Sequence, residues 1–355
     1  MKILHVCPRY FPCIGGVEEH VKNICERLAG KFEVSVFTTD PSGQLPVKEI
    51  INGVEVTRFK SWAPSEAYYF SASLKHFLSK YSHVFDIVHA HSYHAFPAYY
   101  AAKGKTKNKL VFTPHYHRKG HTTIRSLLHI PYNFLGKKIF EKSDRVICVS
   151  YYEKELIKKC FKVNEKKIDI VPNGVSTKEF MGLKRSKPRG RYKTILCVSR
   201  LEKYKGIQYL IQVLPLLEND VILEVVGKGP YKSHLVRLAK KLNVSERVKF
   251  FQDLSRSELL REYANADVFV LLSAYEAFGL CVAEALCAGV PCIVTKTSAL
   301  LEWVDNENCF GVDYPICLNE LVILIKHVIG KKAVMPKIYD WDEIAEKVAQ
   351  LYQKL

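Results

Sequence analysis

Short runs rich in Val, Ile and Leu alternate with amphipathic stretches from one end of the chain to the other, in two successive sets. In the first half the runs are KILHVC, EVSVFT, DIVHAH, KLVFTPH, RVICVS and KIDIVPN, with helix-like stretches such as VEEHVKNICERLAG and YYEKELIKKC between them. In the second half they are TILCVS, VILEVVG, RVKFFQ, ADVFVLLS and PCIVT, interleaved with GIQYLIQVLPLLE, YKSHLVRLAKKL, SELLREYAN and LCVAEALCAG. A strand apolar on both faces is at home in a parallel sheet covered by helices on both sides. Each half therefore reads as a doubly wound α/β domain. A chain of 355 residues suits two such domains. The expected division is a first domain at 1–180, a linker at 181–193, a second domain at 194–338 and a final helix at 339–355. The linker is polar and basic and contains Gly and Pro. The final helix has one apolar face, made of Trp341, Ile344, Ala345, Val348, Leu351 and Tyr352.

Composition excludes several classes. With 48% hydrophobic and 25% charged residues, the chain is a globular protein and not a disordered one. No uncharged stretch reaches the ~18 apolar residues of a membrane span. The start, MKILHVCPRYF, reads as a strand interrupted by Pro8 and Arg9, not as a signal peptide. The eleven cysteines are odd in number and form no CxxC pair; Cys7, Cys148 and Cys197 sit in apolar runs, where a thiol acts as a small hydrophobe. The expected place is the cytoplasm.

The net charge of +17 is unevenly spread: residues 1–178 carry +13, 179–193 carry +5, and 194–355 carry −1. A basic first half suits nucleic acid, an anionic membrane or a phosphorylated substrate, and equally a merely solvated surface. The stretch RKGHTTIRSLLHIPYNFLGKKIFEK interleaves Arg118, Lys119, Arg125, Lys137, Lys138 and Lys142 with Leu and aromatics. It fits peripheral contact with anionic headgroups at the inner face of the cell membrane, or an ordinary helix with a basic outer side. No helix-turn-helix, finger or RNP motif is present, so no nucleic-acid partner is expected.

Ligands of doubly wound sheets bind beyond the carboxyl ends of the strands, so the loops there carry the informative residues. After ADVFVLLS comes SAYEAFGLCVAEALCAGVPCIV, in which Gly279 and Leu280 open a short helix and Gly289 closes it. That helix is apolar all round except for Glu284, and Glu276 stands in the loop before it. The helix start offers an anion site, and the two carboxylates offer acceptors for sugar and ribose hydroxyls. The bland alternative is a Glu284 satisfied by backbone and a merely exposed Glu276. In CVSRLEKYKG, Arg200 and Lys205 follow a strand and suit a diphosphate. In CPRYFPCIGGVEEH, Gly15 and Gly16 precede a helix and allow close approach of backbone to a ligand, or make a turn. Eleven of 13 histidines lie before residue 179, including the HAHSYH run of His89, His91 and His94 and the group His115, His117 and His121. The H-x-H-x-x-H spacing raises a metal reading, but Tyr93 stands where the metallo-β-lactamase signature has Asp. No metal site is expected, and single histidines lining a cleft as hydrogen-bond donors are.

Together IGGVEEHV, DIVHAHS, FTPHYH, RVICVSYYEKELI, VPNGVSTKEF, VSRLEKYKG, VVGKGP, EAFGLCVAEAL and DWDEIAEKVAQLY resemble a retaining glycosyltransferase of family 4 over nearly the whole chain. The resemblance implies the GT-B architecture, two Rossmann-like doubly wound domains facing across a cleft, with the final helix crossing back to the first domain. It implies that Gly15 and Gly16 approach the donor or acceptor and that His115 contacts the transferred sugar near the reacting centre. Arg200 and Lys205 would bind the donor diphosphate and Leu280 would give it a backbone N–H. Glu276 would meet hydroxyls of the transferred sugar, and Glu284 the ribose. The chain departs from the family pattern at Ser298 and Ala299, where a glycine pair is common before the residue matched by Glu302, and at Asp253, where glycine is common.

The expected activity is transfer of a hexose from a nucleoside-diphosphate sugar to a lipid-linked or glycan acceptor, with retention and without a metal or other cofactor. Another GT-B chemistry, such as a nucleotide-sugar epimerase or a phosphorylase, is the alternative enzyme class. A basic nucleic-acid binder and a zinc hydrolase are the alternatives outside it.

Overall fold

The computed structural model describes residues 1–117, 123–185 and 192–355, and for 65 and 123–131 the backbone alone. The chain divides into two compact units, one of Met1–Gly174 with Tyr339–Leu355 and one of Val175–Ile338.

The first unit runs β1 (Lys2–Val6), α1 (Gly16–Leu28), β2 (Glu33–Asp40), β3 (Lys48–Ile51), β4 (Val54–Lys60), α2 (Ala72–Tyr81), β5 (Ile87–His91), α3 (Phe96–Lys103), β6 (Lys109–Thr113), α4 (Thr123–Lys142), β7 (Arg145–Cys148), α5 (Tyr151–Phe161) and β8 (Ile168–Ile170). The sheet order is β3-β4-β2-β1-β5-β6-β7-β8, parallel except for β3. Strand order reverses between β1 and β5, where His5 stands in register with His89. All six strands expected in this half are present. The pair β3–β4 was not expected; it turns at Asn52 and Gly53, both with positive φ, the backbone of a two-residue hairpin.

The second unit runs β9 (Lys193–Val198), α6 (Ile207–Val213), β10 (Val221–Val226), α7 (Lys232–Lys241), β11 (Val248–Phe251), α8 (Arg256–Asn265), β12 (Val268–Leu271), α9 (Leu280–Cys287), β13 (Cys292–Thr295), β14 (Cys309–Val312) and α10 (Leu318–Val328). Its all-parallel sheet has the order β11-β10-β9-β12-β13-β14 and reverses between β9 and β12. The short edge strand β14, whose sequence CFGV is too brief to announce it, and the helix α10 are not among the expected elements. Strands β5, β10 and β12 are buried throughout, as strands covered on both faces must be.

The chain enters the second unit at Val175, ahead of the boundary expected at 180. Val175 and Phe180 are buried in that unit's core, and Arg185 forms a two-pronged ion pair with Asp267 at 2.7 and 2.9 Å. Of the expected linker 181–193, residues 186–191 lie outside the described residues. The final helix, α11 (Trp341–Gln353), belongs to the first unit. A capping box of Asp340 and Glu343 starts it. Its buried face, with Ile344, Ala345, Val348 and Tyr352, packs on α1, and Arg27 Nε reaches Asp342 Oδ1 at 2.6 Å.

Among the described residues, no helix is long and apolar enough to cross a membrane. In the basic stretch, Arg118, Lys119 and the side chain of Arg125 lie outside the described residues, as does His121; Lys137, Lys138 and Lys142 are exposed, as is Phe134.

Candidate active site

In the second unit the site-bearing loops leave β9 and β12, the two strands that flank the reversal of strand order. Lys205 lies on the first loop and Glu276 on the second, and Lys205 Nζ meets Glu276 Oε1 at 2.5 Å. Both side chains are largely buried. Ser273 Oγ donates to the same carboxylate oxygen at 2.8 Å. The loops are laced further by Ala274 N–H donating to Tyr204 O at 2.8 Å and by Tyr204 stacked on Tyr275 at 4.4 Å between ring centroids. Gly206 makes this closeness possible: its φ is 76°, and a side chain there would run into the Leu272 carbonyl. Burial alone would discharge Lys205, but the Glu276 carboxylate overrides it and holds the ammonium well above its ordinary range.

The loop on the Glu276 side is held by residues that motif reading passed over. Ser298 Oγ accepts from Glu276 N–H at 2.9 Å, and Thr295 Oγ1 donates to Ser273 O at 2.5 Å. Ser298 and Asp253, two of the three departures from glycine, keep the left-handed backbone that glycine favours, with φ of 51° and 56°. Ser298 therefore preserves the turn and adds a hydroxyl that fixes Glu276.

Leu280 is the first residue of α9, and Gly279 at its N-cap gives no side-chain cap. Val282 N–H donates to Gly279 O at 2.9 Å, and no side-chain cap takes the N–H groups of Leu280 and Cys281 ahead of it. Arg200 is half-exposed on the β9 loop, 3.7 Å from Glu202. Glu284 is held by side chains: Arg256 Nη1 reaches it at 2.5 Å and Tyr263 OH at 2.9 Å. Arg256 also reaches Glu179 at 2.7 Å. Burial opposes its charge, yet the Glu284 carboxylate holds the guanidinium firmly protonated. Arg256 opens α8 in a run of polar residues, and no spacing in the sequence sets it apart.

In the first unit the expected residues gather at the reversal between β1 and β5. His115 follows β6 with φ 49°, is buried, and lies 4.8 Å from the ring of His20 and 6.2 Å from that of His91. Its loop is pinned by Glu153, whose fully buried carboxylate accepts from Tyr116 N–H at 2.6 Å and Val149 N–H at 2.7 Å. Gly15 is the N-cap of α1, and the Glu18 carboxylate, paired with Arg9 at 2.7 Å, fills the place its side chain would take. Gly16 faces open space.

Behind them runs a histidine network. His5 Nδ1 meets His91 Nε2 at 3.0 Å, His89 Nε2 meets Thr113 Oγ1 at 2.8 Å, and His20 Nδ1 donates to Asn173 Oδ1 at 2.7 Å. Tyr352 of α11 reaches His89 Nδ1 at 2.5 Å. Burial depresses all of these rings; His5 falls to about 3 and His20 to about 4, so they are uncharged at neutral pH. The HAHSYH run does not act as one unit, for His94 stacks instead on His117 at 4.6 Å. The contribution of Tyr352 was hidden in the sequence because it reads as one more residue of the apolar face of α11.

Comparison with known proteins agrees with this geometry. The family model for Glycosyltransferase Family 4 matches residues 14–179, and that for Glycosyl transferases group 1 matches 183–315. An uncharacterized glycosyltransferase of Methanocaldococcus jannaschii is 30% identical, covering 99% of this chain and 98% of its own. The GDP-mannose:cellobiosyl-diphosphopolyprenol alpha-mannosyltransferase of Komagataeibacter xylinus is 23% identical over 100% of this chain and 93% of its own. Among solved structures, Anabaena HepE in complex with UDP-glucose superposes with a TM-score of 0.80 at 17% identity, covering 100% of both chains. Two Rossmann-like sheets, two family models that together span most of the chain, and a relative 30% identical over 99% of it make the chain a GT-B glycosyltransferase of the family-4 type.

Proposed function

We propose that the protein moves a hexose from a nucleoside-diphosphate sugar to a lipid-linked or glycan acceptor, with retention and with no metal on the leaving diphosphate. The observation that carries this reading is the Lys205–Glu276 pair across the strand reversal of the second unit, beside the uncapped start of α9. As the bond to the sugar breaks, negative charge grows on the diphosphate. Lys205, Arg200 and the N–H of Leu280 are cationic or donor groups fixed by the fold before the reaction begins, the arrangement that lowers such a barrier. Glu276 then serves twice: it holds Lys205 in place and retains lone pairs for hydroxyls of the transferred sugar. Glu284, fastened by Arg256 and Tyr263, keeps acceptor capacity for the ribose.

The first unit supplies neutral groups, with His115 as the hydrogen-bonding contact to the transferred sugar and Gly15 and Gly16 at the α1 start. An uncharged imidazole suits a substrate whose own groups there are hydroxyls. The basic first unit, with exposed Lys137, Lys138 and Lys142, favours an acceptor carrying phosphate on a lipid. The diphosphopolyprenol acceptor of the Komagataeibacter relative is of this chemistry.

Thermal unfolding with UDP, GDP, ADP and dTDP, each in EDTA, tests the reading. A bound diphosphate at ~100 times its dissociation constant adds about 2.7 kcal/mol to the folded state. Stabilisation by one of the four, lost in Arg200→Ala, is the expected result. No stabilisation by any of them would remove the donor assignment. Turnover of a nucleotide-sugar without acceptor would replace transfer by epimerisation, and the anomeric configuration of the product decides retention.

A further inference from the structure

We propose that His20, His91 and His115 form a binding site for a transition-metal dication of the Zn2+ type. The three come from separate elements: α1, the end of β5 and the loop after β6. One ring nitrogen from each lies within 4.8 Å of the others, and all three rings are buried. Their centroids stand 4.8, 5.5 and 6.2 Å apart. Two imidazoles on one tetrahedral Zn2+, with Zn–N near ~2.0–2.1 Å, place their centroids about 5 Å apart. The observed spacings bracket that value.

Each ring also keeps a nitrogen with no hydrogen-bond partner among the described residues: His20 Nε2, His91 Nδ1 and His115 Nε2. For His20 the tautomer follows from its partner. Asn173 Oδ1 only accepts, so the proton is on Nδ1 and Nε2 presents a bare lone pair. Buried ring nitrogens without a hydrogen-bond partner are costly in a folded protein, and a shared cation removes that cost. The outer nitrogens are oriented as those of metal-ligating histidines are, His20 by Asn173 and His91 by His5. A second close group, His5, His89 and His91, is a poorer site. There His5 Nδ1 and His91 Nε2 bond each other, and both nitrogens of His89 are taken by Tyr352 and Thr113.

Three neutral nitrogens and no carboxylate select against Mg2+ and Ca2+ and for Zn2+, Co2+, Ni2+ or Cu2+. The three ligands leave a fourth position for water or a substrate oxygen. Of the HAHSYH run only His91 contributes, so the site cannot be read from that spacing. Metal binding stands apart from the proposed transfer. One consequence rests on that reading: a metal that occupies His115 withdraws it from the sugar, so the dication inhibits.

The test is titration of the tag-free, chelator-stripped full chain with Zn2+ by calorimetry and with Co2+ by absorbance. One equivalent with a tetrahedral Co2+ spectrum is expected. Asn173→Ala should weaken binding ~10–100-fold. His20→Ala and His91→Ala should weaken it by more, while His234→Ala in the second unit leaves it unchanged. Absence of stoichiometric binding overturns the proposal, as does wild-type affinity in His20→Ala or His91→Ala. Should those two fail to fold by circular dichroism, wild-type affinity in Asn173→Ala overturns it. Zn2+ binding that does not slow transfer would keep the metal site and take His115 out of the reaction, so the two failures are distinguishable.

Discussion

The two units share a topology and differ in what they place at its reversal point. The first gathers five buried, uncharged histidines, wired by Tyr352, Thr113 and Asn173. The second places a buried ion pair, Lys205–Glu276, and a second, Arg256–Glu284, whose guanidinium is partly exposed. A parallel sheet supplies the same geometry in both cases, loops converging beyond the carboxyl ends of the strands. The side chains on those loops then decide which chemistry each edge handles. Fixed positive charge suits a leaving diphosphate, and neutral rings suit hydroxyls or a soft cation. The contrast in polar centres does not track net charge, since the first unit contains most of the excess basic residues and yet has the neutral centre.

Removing the charge from the second centre has the largest expected effect. Lys205→Met should slow transfer ~10²–10³-fold, the usual result of losing one preorganised group. It also leaves Glu276 largely buried without its cation, which costs about 3–5 kcal/mol. Urea unfolding followed by hydrogen exchange in residues 194–338 reads the second effect. An unchanged stability would mean that the pair is solvated and that the units do not differ as described.

In the first unit the corresponding loss is a matter of unmet hydrogen bonds. Glu153→Ala strands the N–H groups of Tyr116 and Val149, each at about 1–3 kcal/mol. Exchange should rise at residues 115–117 and 149–150, and transfer should slow because His115 loses its setting. Tyr352→Phe deletes the hydroxyl that reaches His89 and should cost about 1–2 kcal/mol, seen as a lower midpoint in urea with fraying of α11. If it costs as much as Lys205→Met, the neutral network is as tightly coupled as the ion pairs.

Ser298→Gly weighs two small opposing effects. It relieves a left-handed backbone and removes the acceptor from Glu276 N–H. Stability should change by less than about 1 kcal/mol. A raised KM for the donor with unchanged stability would identify the hydroxyl as a positioning group.

The smallest effect concerns a respect in which the units are alike. Burial works against the charge of Asp305, but the N–H groups of Cys309, Glu307 and Asn308 and the Asn308 side chain hold its carboxyl below the usual 3.8. Asp40 is similarly lowered in the first unit, where burial is outweighed by Ser42 and Leu45. Each contributes stability above the unfolded value that is lost as pH falls through the folded one. Asp305→Asn should therefore flatten the acid limb of exchange in the second unit alone.

The eleven strands expected from apolar runs are all present; the inner ones, such as β5, β10 and β12, carry the compositional mark of burial on both faces, and the edge strands β8 and β11 are apolar though only partly buried. The strands β3 and β4 were missed although Asn52-Gly53 between apolar flanks is a hairpin signal, since β3 is a half-exposed edge strand and β4 interleaves Glu55, Thr57 and Arg58 with its apolar residues although it is largely buried. Arg200, Lys205, Glu276, Glu284 and Leu280 stand out in the sequence because they follow β9 and β12, and of these the structure pairs Lys205 with Glu276. Arg256, Ser298, Asn173 and Tyr352 do not stand out. Each acts on a partner outside its own local motif, 22 residues away for Ser298, 28 for Arg256, 153 for Asn173 and 263 for Tyr352.

Local order along the chain determined the two doubly wound sheets, the helix starts, and the loops that carry the chemistry. These depend on periodicity, caps and turns, which are properties of neighbouring residues. Tertiary structure alone decided what stands next to what at each reversal of strand order: Lys205 on Glu276, Arg256 on Glu284, and His20, His91 and His115 about one another. Electrostatic and coordination energies act over a few ångströms of space, and sequence spacing does not measure that distance.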